Sequence, residues 1–269
     1  MRIFLTYFFL IFFGTVNSQT IIKCKVLDSA SKAPVMFANA GIVSKAFGTV
    51  TDEKGEFTLN VPDSLMNEKI RISILGYKSK DIYLKKLMNT PVLYLSEAAY
   101  NLSEVAVKPK KTKHKVLGNE TTTKVSTCGF TSNTLGCEMG VKLNIKHKET
   151  QLKKLSFNIV RNIYDSLIFR VNIYKTTKDG KPGENILTKS LFVQPTSKTG
   201  LVEVDLSKLY LFVDEDVFVS IEWIKDLGDT KGLFFSCQLF GGTWYRQASQ
   251  DKWSHIAAVG VGLFVDVEY

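Results

Sequence analysis

Histidine is scarce in this sequence: His114, His147 and His255 are the only three among 269 residues. There is no His-Glu-x-x-His, so the commonest helical zinc-peptidase site is excluded. The four cysteines, Cys24, Cys128, Cys137 and Cys237, include no Cys-x-x-Cys pair, which removes the usual zinc spacing as well. A Gly-x-Ser-x-Gly nucleophile elbow is missing, as is a Gly-rich phosphate loop ending in Lys-Ser or Lys-Thr. No cofactor or metal site is therefore expected. Long apolar runs are also rare. The one candidate, Ile3 to Phe13, is too short and too abruptly ended by Val16-Asn17-Ser18 for a comfortable membrane span.

What is present suggests export. Arg2 followed by that apolar run and a small residue before Gln19 has the three-part plan of a secretory signal over residues 1–18. An uncleaved anchor is the alternative. A lipoprotein reading fails, since Cys24 comes too late and follows Lys23. Without the leader 34 basic residues face 26 acidic ones, which favours anionic surfaces such as polysaccharide or envelope polymers. Export disfavours nucleic acid as a partner. An oxidising compartment permits disulfides, and Cys128 with Cys137, bracketing a Gly-rich loop, is the expected pair; buried free thiols are the alternative.

Hydrophobic residues make up 45% and aromatics 12%, a globular composition with enough chain for two domains. Residues 20–107 read as short strands with turn signals between them, an antiparallel β-sandwich. Ile22, Cys24 and Val26 give the first strand one apolar face. Gly48-Thr49-Val50-Thr51 and Phe57-Thr58-Leu59 flank the polar turn Asp52-Glu53-Lys54-Gly55 as an expected hairpin, with Gly55 supplying positive φ. Lys69 to Leu75 alternates with period two, and Gly76-Tyr77 kinks the chain.

These residues also carry a resemblance. Asp28-Ser29 leading to Pro34-Val35, then Gly48 to Phe57, Ile74-Leu75-Gly76-Tyr77, and Leu102-Ser103-Glu104-Val105-Ala106-Val107 follow one another as in the carboxypeptidase regulatory-like domain. The chain so resembles a transthyretin-like module common in exported Bacteroidetes proteins. The resemblance implies a small sandwich that accompanies a catalytic domain or transporter and contributes no active-site residue. The catalytic half of the carboxypeptidases would need His-x-x-Glu, and no histidine here has glutamate three positions on.

Residues 108–115 hold five lysines and a proline, either a solvated linker or a grip for an anionic polymer. Residues 116–269 show strand-like runs at Gly140 to Ile145, Leu152 to Val160, Leu167 to Tyr174, Leu201 to Leu206, Val217 to Ile224, Leu233 to Leu239 and Ala257 to Val267. Phe169, Val171 and Ile173 alternate with Arg170, Asn172 and Tyr174, which predicts a half-buried strand. With no sustained helical period, a second and larger β-sandwich of the jelly-roll kind is expected. The fold class is thus all-β, with two sandwich domains.

One constellation has the chemistry of a binding site. Trp244-Tyr245-Arg246 is followed closely by Trp253, and aromatic faces stack on the C–H side of sugars while arginine bonds hydroxyls. The same rings would equally serve as core. The expected function is non-enzymatic: an exported envelope protein that binds or scaffolds a protein or polysaccharide partner. Carbohydrate binding through Trp244, Tyr245, Arg246 and Trp253 is the alternative, and a peptidase or hydrolase comes last.

Overall fold

The computed structural model describes residues 18–98, 113–130, 134–165, 167–225 and 232–269. The expected leader (all but Ser18), the closing Leu102 to Val107 segment and most of the lysine-rich stretch lie outside the described residues.

The first domain contains β1 (Gln19–Asp28), β2 (Asn39–Ile42), β3 (Gly48–Val50), β4 (Glu56–Pro62), β5 (Lys69–Ser73), β6 (Lys80–Tyr83), a one-turn helix α1 (Leu84–Leu87) and β7 (Val92–Leu95). They form two sheets, β4-β1-β7 and β3-β2-β5-β6. Period-two alternation turns Ile22, Cys24 and Val26 of β1 and Phe57, Leu59 and Val61 of β4 inward, where they meet Ala40, Ile42, Ile70 and Ile72 of the other sheet. Leu84 and Leu87 of α1 close the end of this core.

Gly55 takes φ +74°, as its place in the turn requires; a Cβ there would lie 2.5 Å from the Val26 carbonyl. The expected hairpin needs correction. β3 and β4 flank the turn but join different sheets, β3 pairing with β2 and β4 with β1. Thr51 explains the switch. Its hydroxyl donates to Val35 O and accepts from Ala38 N, both at 2.8 Å, tying the end of β3 to the segment before β2.

The second domain begins inside the stretch expected to be linker, with β8 (His114–Gly118). It continues through β9 (Thr127–Phe130), β10 (Glu138–Leu143), β11 (Thr150–Asn162), β12 (Phe169–Thr176), β13 (Pro182–Asn185), β14 (Leu191–Val193), β15 (Gly200–Asp205) and β16 (Phe212–Val213). β17 (Val217–Trp223), β18 (Leu233–Leu239), β19 (Thr243–Arg246), β20 (Ser254–Ile256), β21 (Val259–Val261) and β22 (Leu263–Glu268) complete it. One sheet runs β13-β12-β17-β10-β19-β20 with β14 on β12. The other runs β21-β18-β11-β22-β8, with β15 and β16 on β11 and β9 on β18. Phe157, Phe169 and Phe235 meet edge-on between the sheets, and Phe130 links them to the fully buried Trp223.

The two sandwiches dock through backbone as well as side chains. Gly41 and Gly48 face Ser249 of the second domain so closely that a Cβ on either would sit 2.0 or 2.2 Å from the Ser249 carbonyl oxygen. Ser249 Oγ donates to Asn39 Oδ1 at 3.0 Å, Gln250 Nε2 to Ser73 Oγ at 3.0 Å, and Ser44 N to Gln250 O at 2.8 Å. Phe37, Val50 and Ile224 form a small apolar cluster across the same contact, and Phe37 packs edge-on against Phe192. Phe37, Ser44 and Gln250 all hold positive φ, at 58°, 65° and 65°. Such backbone persists in non-glycine residues where surrounding contacts over-determine it.

Candidate functional site

The strand Phe169 to Tyr174, expected to be half-buried, is buried on both faces as part of the seven-stranded sheet. The sheet's inner face supplies Phe169, Val171, Ile173, Val219 and Ile221 to the core. Its outer face carries a row of charges across four neighbouring strands: Arg170 on β12, Glu222 on β17, Glu138 on β10 and Arg246 on β19. Strand register sets Arg170 opposite Glu222, Glu222 opposite Glu138, and Glu138 opposite Arg246. Loop residues Gln247 to Trp253 and the first domain lie over this row.

The bonds within the row are saturated on most sides. Arg170 Nε donates to Glu222 Oε2 at 2.9 Å, its Nη1 to the carbonyl of Phe37 at 2.7 Å, and its Nη2 to Asn39 Oδ1. Arg170 therefore joins the ionic row to the domain contact. Asn172 Nδ2 bridges Glu138 Oε1 and Glu222 Oε2, each at 2.9 Å. Glu138 also accepts from Tyr174 at 3.0 Å, from Ser220 Oγ, and from Arg246 Nη2 at 2.6 Å. Glu222 and Glu138 are 0% and 1% exposed.

Burial alone would raise the Glu222 carboxyl, but Arg170 and Arg246 override it and hold Glu222 below the ordinary glutamate value. Burial likewise opposes the charge on Arg246, and Glu138, with Tyr174 and Glu222, outweighs it and holds the guanidinium above its usual range. The Tyr174 hydroxyl is pushed well up, first by burial and then by Glu138, so it stays a donor. Two guanidinium and two carboxylate groups make the row neutral. Within the row two buried atoms lack hydrogen-bond partners: Glu222 Oε1, whose 3.9 Å contact with Arg246 Nη2 is too long, and Arg246 Nε.

Beside Arg246 the sandwich opens into a cleft. A cavity of about 430 Å³ lies between β9 on one sheet and the starts of β10 and the end of β19 on the other; Phe130, Met139 and Tyr245 are among its walls. A second hollow of about 310 Å³ adjoins it, sharing Ala46, Tyr245, Arg246 and Gln247 and reaching Asp251 and Lys252. Ala46 belongs to the first domain, so the mouth exists only where the domains meet.

Of the four residues singled out from sequence, Arg246 meets Trp253 and shares a cleft with Tyr245, while Trp244 packs apart. Strand alternation puts Trp244 and Arg246 on the outer face and Tyr245 on the inner one. Trp244 stacks on His255 at 4.7 Å and meets Phe218 edge-on at 5.3 Å. Trp253 packs edge-on against Tyr174 and beneath the Arg246 guanidinium at 5.2 Å. All three rings are half-buried rather than presented together. Tyr245 and Arg246 line the cleft; the two tryptophans pack elsewhere.

The cysteines depart from the expected bridge: all four are free thiols. Cys128 sits on β9 in one sheet and Cys137 just ahead of β10 in the other, with the cavity between them. Cys128 instead neighbours Cys237 on the adjacent strand, and burial, then Cys237, pushes its thiol up to about 12. No group of three or more His, Cys, Asp or Glu that could hold a metal occurs among the described residues. None of their helices is long and apolar enough to cross a membrane.

No curated protein is similar to the chain by sequence. Among solved structures it is similar to chains of infectious bursal disease virus, Gx strain (10% identity, TM-score 0.23) and Gt strain (11%, 0.25). The match covers 93% of this chain in both cases but only 64% and 63% of those chains, so the protein spans less than two thirds of their length. At such TM-scores the likeness carries no argument. The first sandwich is different: residues 22–107 match the family model of the CarboxypepD_reg-like domain.

Proposed function

We propose that this is an exported envelope protein that works by binding and scaffolding, with its CarboxypepD_reg-like domain and second sandwich acting as one body. The observation that carries this reading is the domain contact, in which Arg170 serves the buried ionic row and the first-domain backbone at once. A recognition surface spread over two domains needs their relative placement fixed, and an interface of this kind supplies it. The charged groups most densely gathered in the fold are engaged with one another rather than turned towards a substrate. That supports a role in recognition over bond chemistry. Carbohydrate binding draws less support, because Trp244 and Trp253 are committed to packing.

Two experiments test this reading. Expressed with its own N-terminus, the chain should lose about its first 18 residues and fractionate with the envelope; an unprocessed cytoplasmic product would contradict export. A photo-crosslinking residue at Phe240, which is 85% exposed, or at Tyr210, 55% exposed, should give a discrete adduct with an envelope component in living cells. A complete lack of adducts at both positions would count against scaffolding.

A further inference from the structure

β19 reaches the ionic row at Arg246, and its other end rises from a pair of apolar turns. The β18–β19 turn leaves Leu239 70% and Phe240 85% exposed, and the β20–β21 turn exposes Ile256, Ala257 and Ala258. Phe240 N donates to Ala258 O at 2.9 Å, which sets the two turns side by side. Val125, 96% exposed, joins them: Ser126 O accepts from Cys237 N at 2.9 Å, so Val125 flanks the last residues of β18. Surface turns ordinarily consist of polar residues and glycine. Here no charged side chain occurs from Leu239 to Thr243 or from Ile256 to Gly262.

The pair of turns is fixed from beneath. Buried Asn119 donates through Nδ2 to Val261 O at 3.1 Å and to Gly242 O at 3.4 Å, and its Oδ1 accepts from Gln238 Nε2 at 3.2 Å. Thr243 Oγ1 donates to Val259 O and accepts from Val261 N, both at 2.8 Å. Phe240 holds φ +60°, a left-handed backbone that a non-glycine residue keeps only where surrounding contacts over-determine it. The fold itself therefore satisfies these backbone groups, which is what a segment needs to leave water for a medium without donors or acceptors. A protein partner calls for something else. Protein interfaces carry about one hydrogen bond per 100–200 Å², and the side chains of these turns offer none outward. At the base of the projection Lys124 and Glu120 have opposite signs, and His255 stacks on Trp244.

We propose that this paired-turn tip inserts into the interfacial region of a phospholipid bilayer, with Leu239 and Phe240 among the acyl chains and the Lys124 ammonium at headgroup level. Burial of apolar surface drives the contact, because the flanking charges cancel. The inference concerns the purified chain and stands or falls apart from the envelope reading.

The test is sedimentation of the full mature chain with vesicles of phosphatidylcholine alone and of an equal mixture with phosphatidylglycerol. Leu239→Thr/Phe240→Asn removes the exposed apolar surface; asparagine tolerates the left-handed backbone, so the variant should melt like the parent. Tyr210→Asn is the control, since it takes an aromatic 55% exposed, also at positive φ, from the β15–β16 connection. The parent and Tyr210→Asn should bind both kinds of vesicle with little dependence on salt. The double variant should bind each at least about tenfold more weakly. Phe240→Trp should gain emission that brominated acyl chains quench. Absence of vesicle binding, equal binding by the parent and the double variant, or binding confined to the phosphatidylglycerol mixture and lost with salt would each overturn the proposal. A dimer formed without lipid and abolished by the double variant would assign the tip to a second copy and overturn it as well.

Discussion

Arg170→Met removes a side chain that holds both the ionic row and the first domain. Three bonds vanish: to Glu222 Oε2 at 2.9 Å, to Phe37 O at 2.7 Å, and to Asn39. The larger consequence is what stays behind. Glu222 has no solvent exposure and, among the described residues, would keep only Asn172 and the distant Arg246 as partners. Breaking a buried pair from one side typically costs about 3–5 kcal/mol, a large share of the total stability of an ordinary domain. Lys175→Met provides the contrast, because its partner Glu184 is 78% exposed and such a pair is worth about 0–1 kcal/mol. Urea unfolding at pH 7 should resolve the two.

The pH dependence sharpens this prediction. In the parent, Glu222 sits below its usual 4.5, so its contribution is present above that value and is lost as pH falls through the folded pKa. Without Arg170, burial dominates and Glu222 titrates higher, so acidification neutralises the stranded charge. The deficit of Arg170→Met should therefore shrink between pH 7 and about pH 4. Arg170→Met/Glu222→Leu should recover part of the loss, with a coupling of at least about 2 kcal/mol. A single-variant loss below about 1 kcal/mol that is flat with pH would contradict this role for Arg170.

Gly41→Val pushes a side chain into the Ser249 carbonyl and should weaken docking by about 1–3 kcal/mol while leaving each sandwich core intact; calorimetry should then split one transition into two, and an unchanged single transition would contradict it. Asp179, bonded to the Thr177 hydroxyl and beside Lys181, should titrate at about 2, and Thr177→Val should return it towards 3.8, as read by carboxyl NMR. Its stabilising contribution is present above 3.8 and disappears as pH falls through 2. Burial holds Cys24 at about 11 and Cys128 at about 12, so native protein at pH 8 should resist iodoacetamide at both, whereas unfolding without reductant should expose four alkylatable thiols.

Local pattern made much of this fold legible. Leu233 to Leu239 alternates as a strand should and forms one with those bounds, and Gly55 adopts the turn geometry its position demanded. What pattern could not reveal was which elements pair. Gly48 to Leu59 looks like a hairpin locally, yet a hydroxyl from Thr51 and register with β1 assign its arms to different sheets. The ionic row escaped for a related reason. Arg170, Asn172, Ser220 and Glu222 occupy the polar phase of alternating strands, and alternation alone assigns that phase to solvent. The missed signal was complementarity: opposite charges in matching phase on two otherwise apolar strands. Trp244 and Trp253 show the converse. Closeness in sequence suggested a shared surface, but their surroundings, a histidine and phenylalanine for one and a tyrosine and arginine for the other, are set by long-range packing.

The two sandwiches are docked as one body through the contacts of Arg170 and Ser249. Residual dipolar couplings measured on backbone amides of the full mature chain test it most directly. Docking through Ser249, Asn39 and Arg170 predicts a single alignment tensor that fits residues 19–95 and 138–268 together. Two tensors of different magnitude or orientation, each fitting only its own sandwich, would contradict the account.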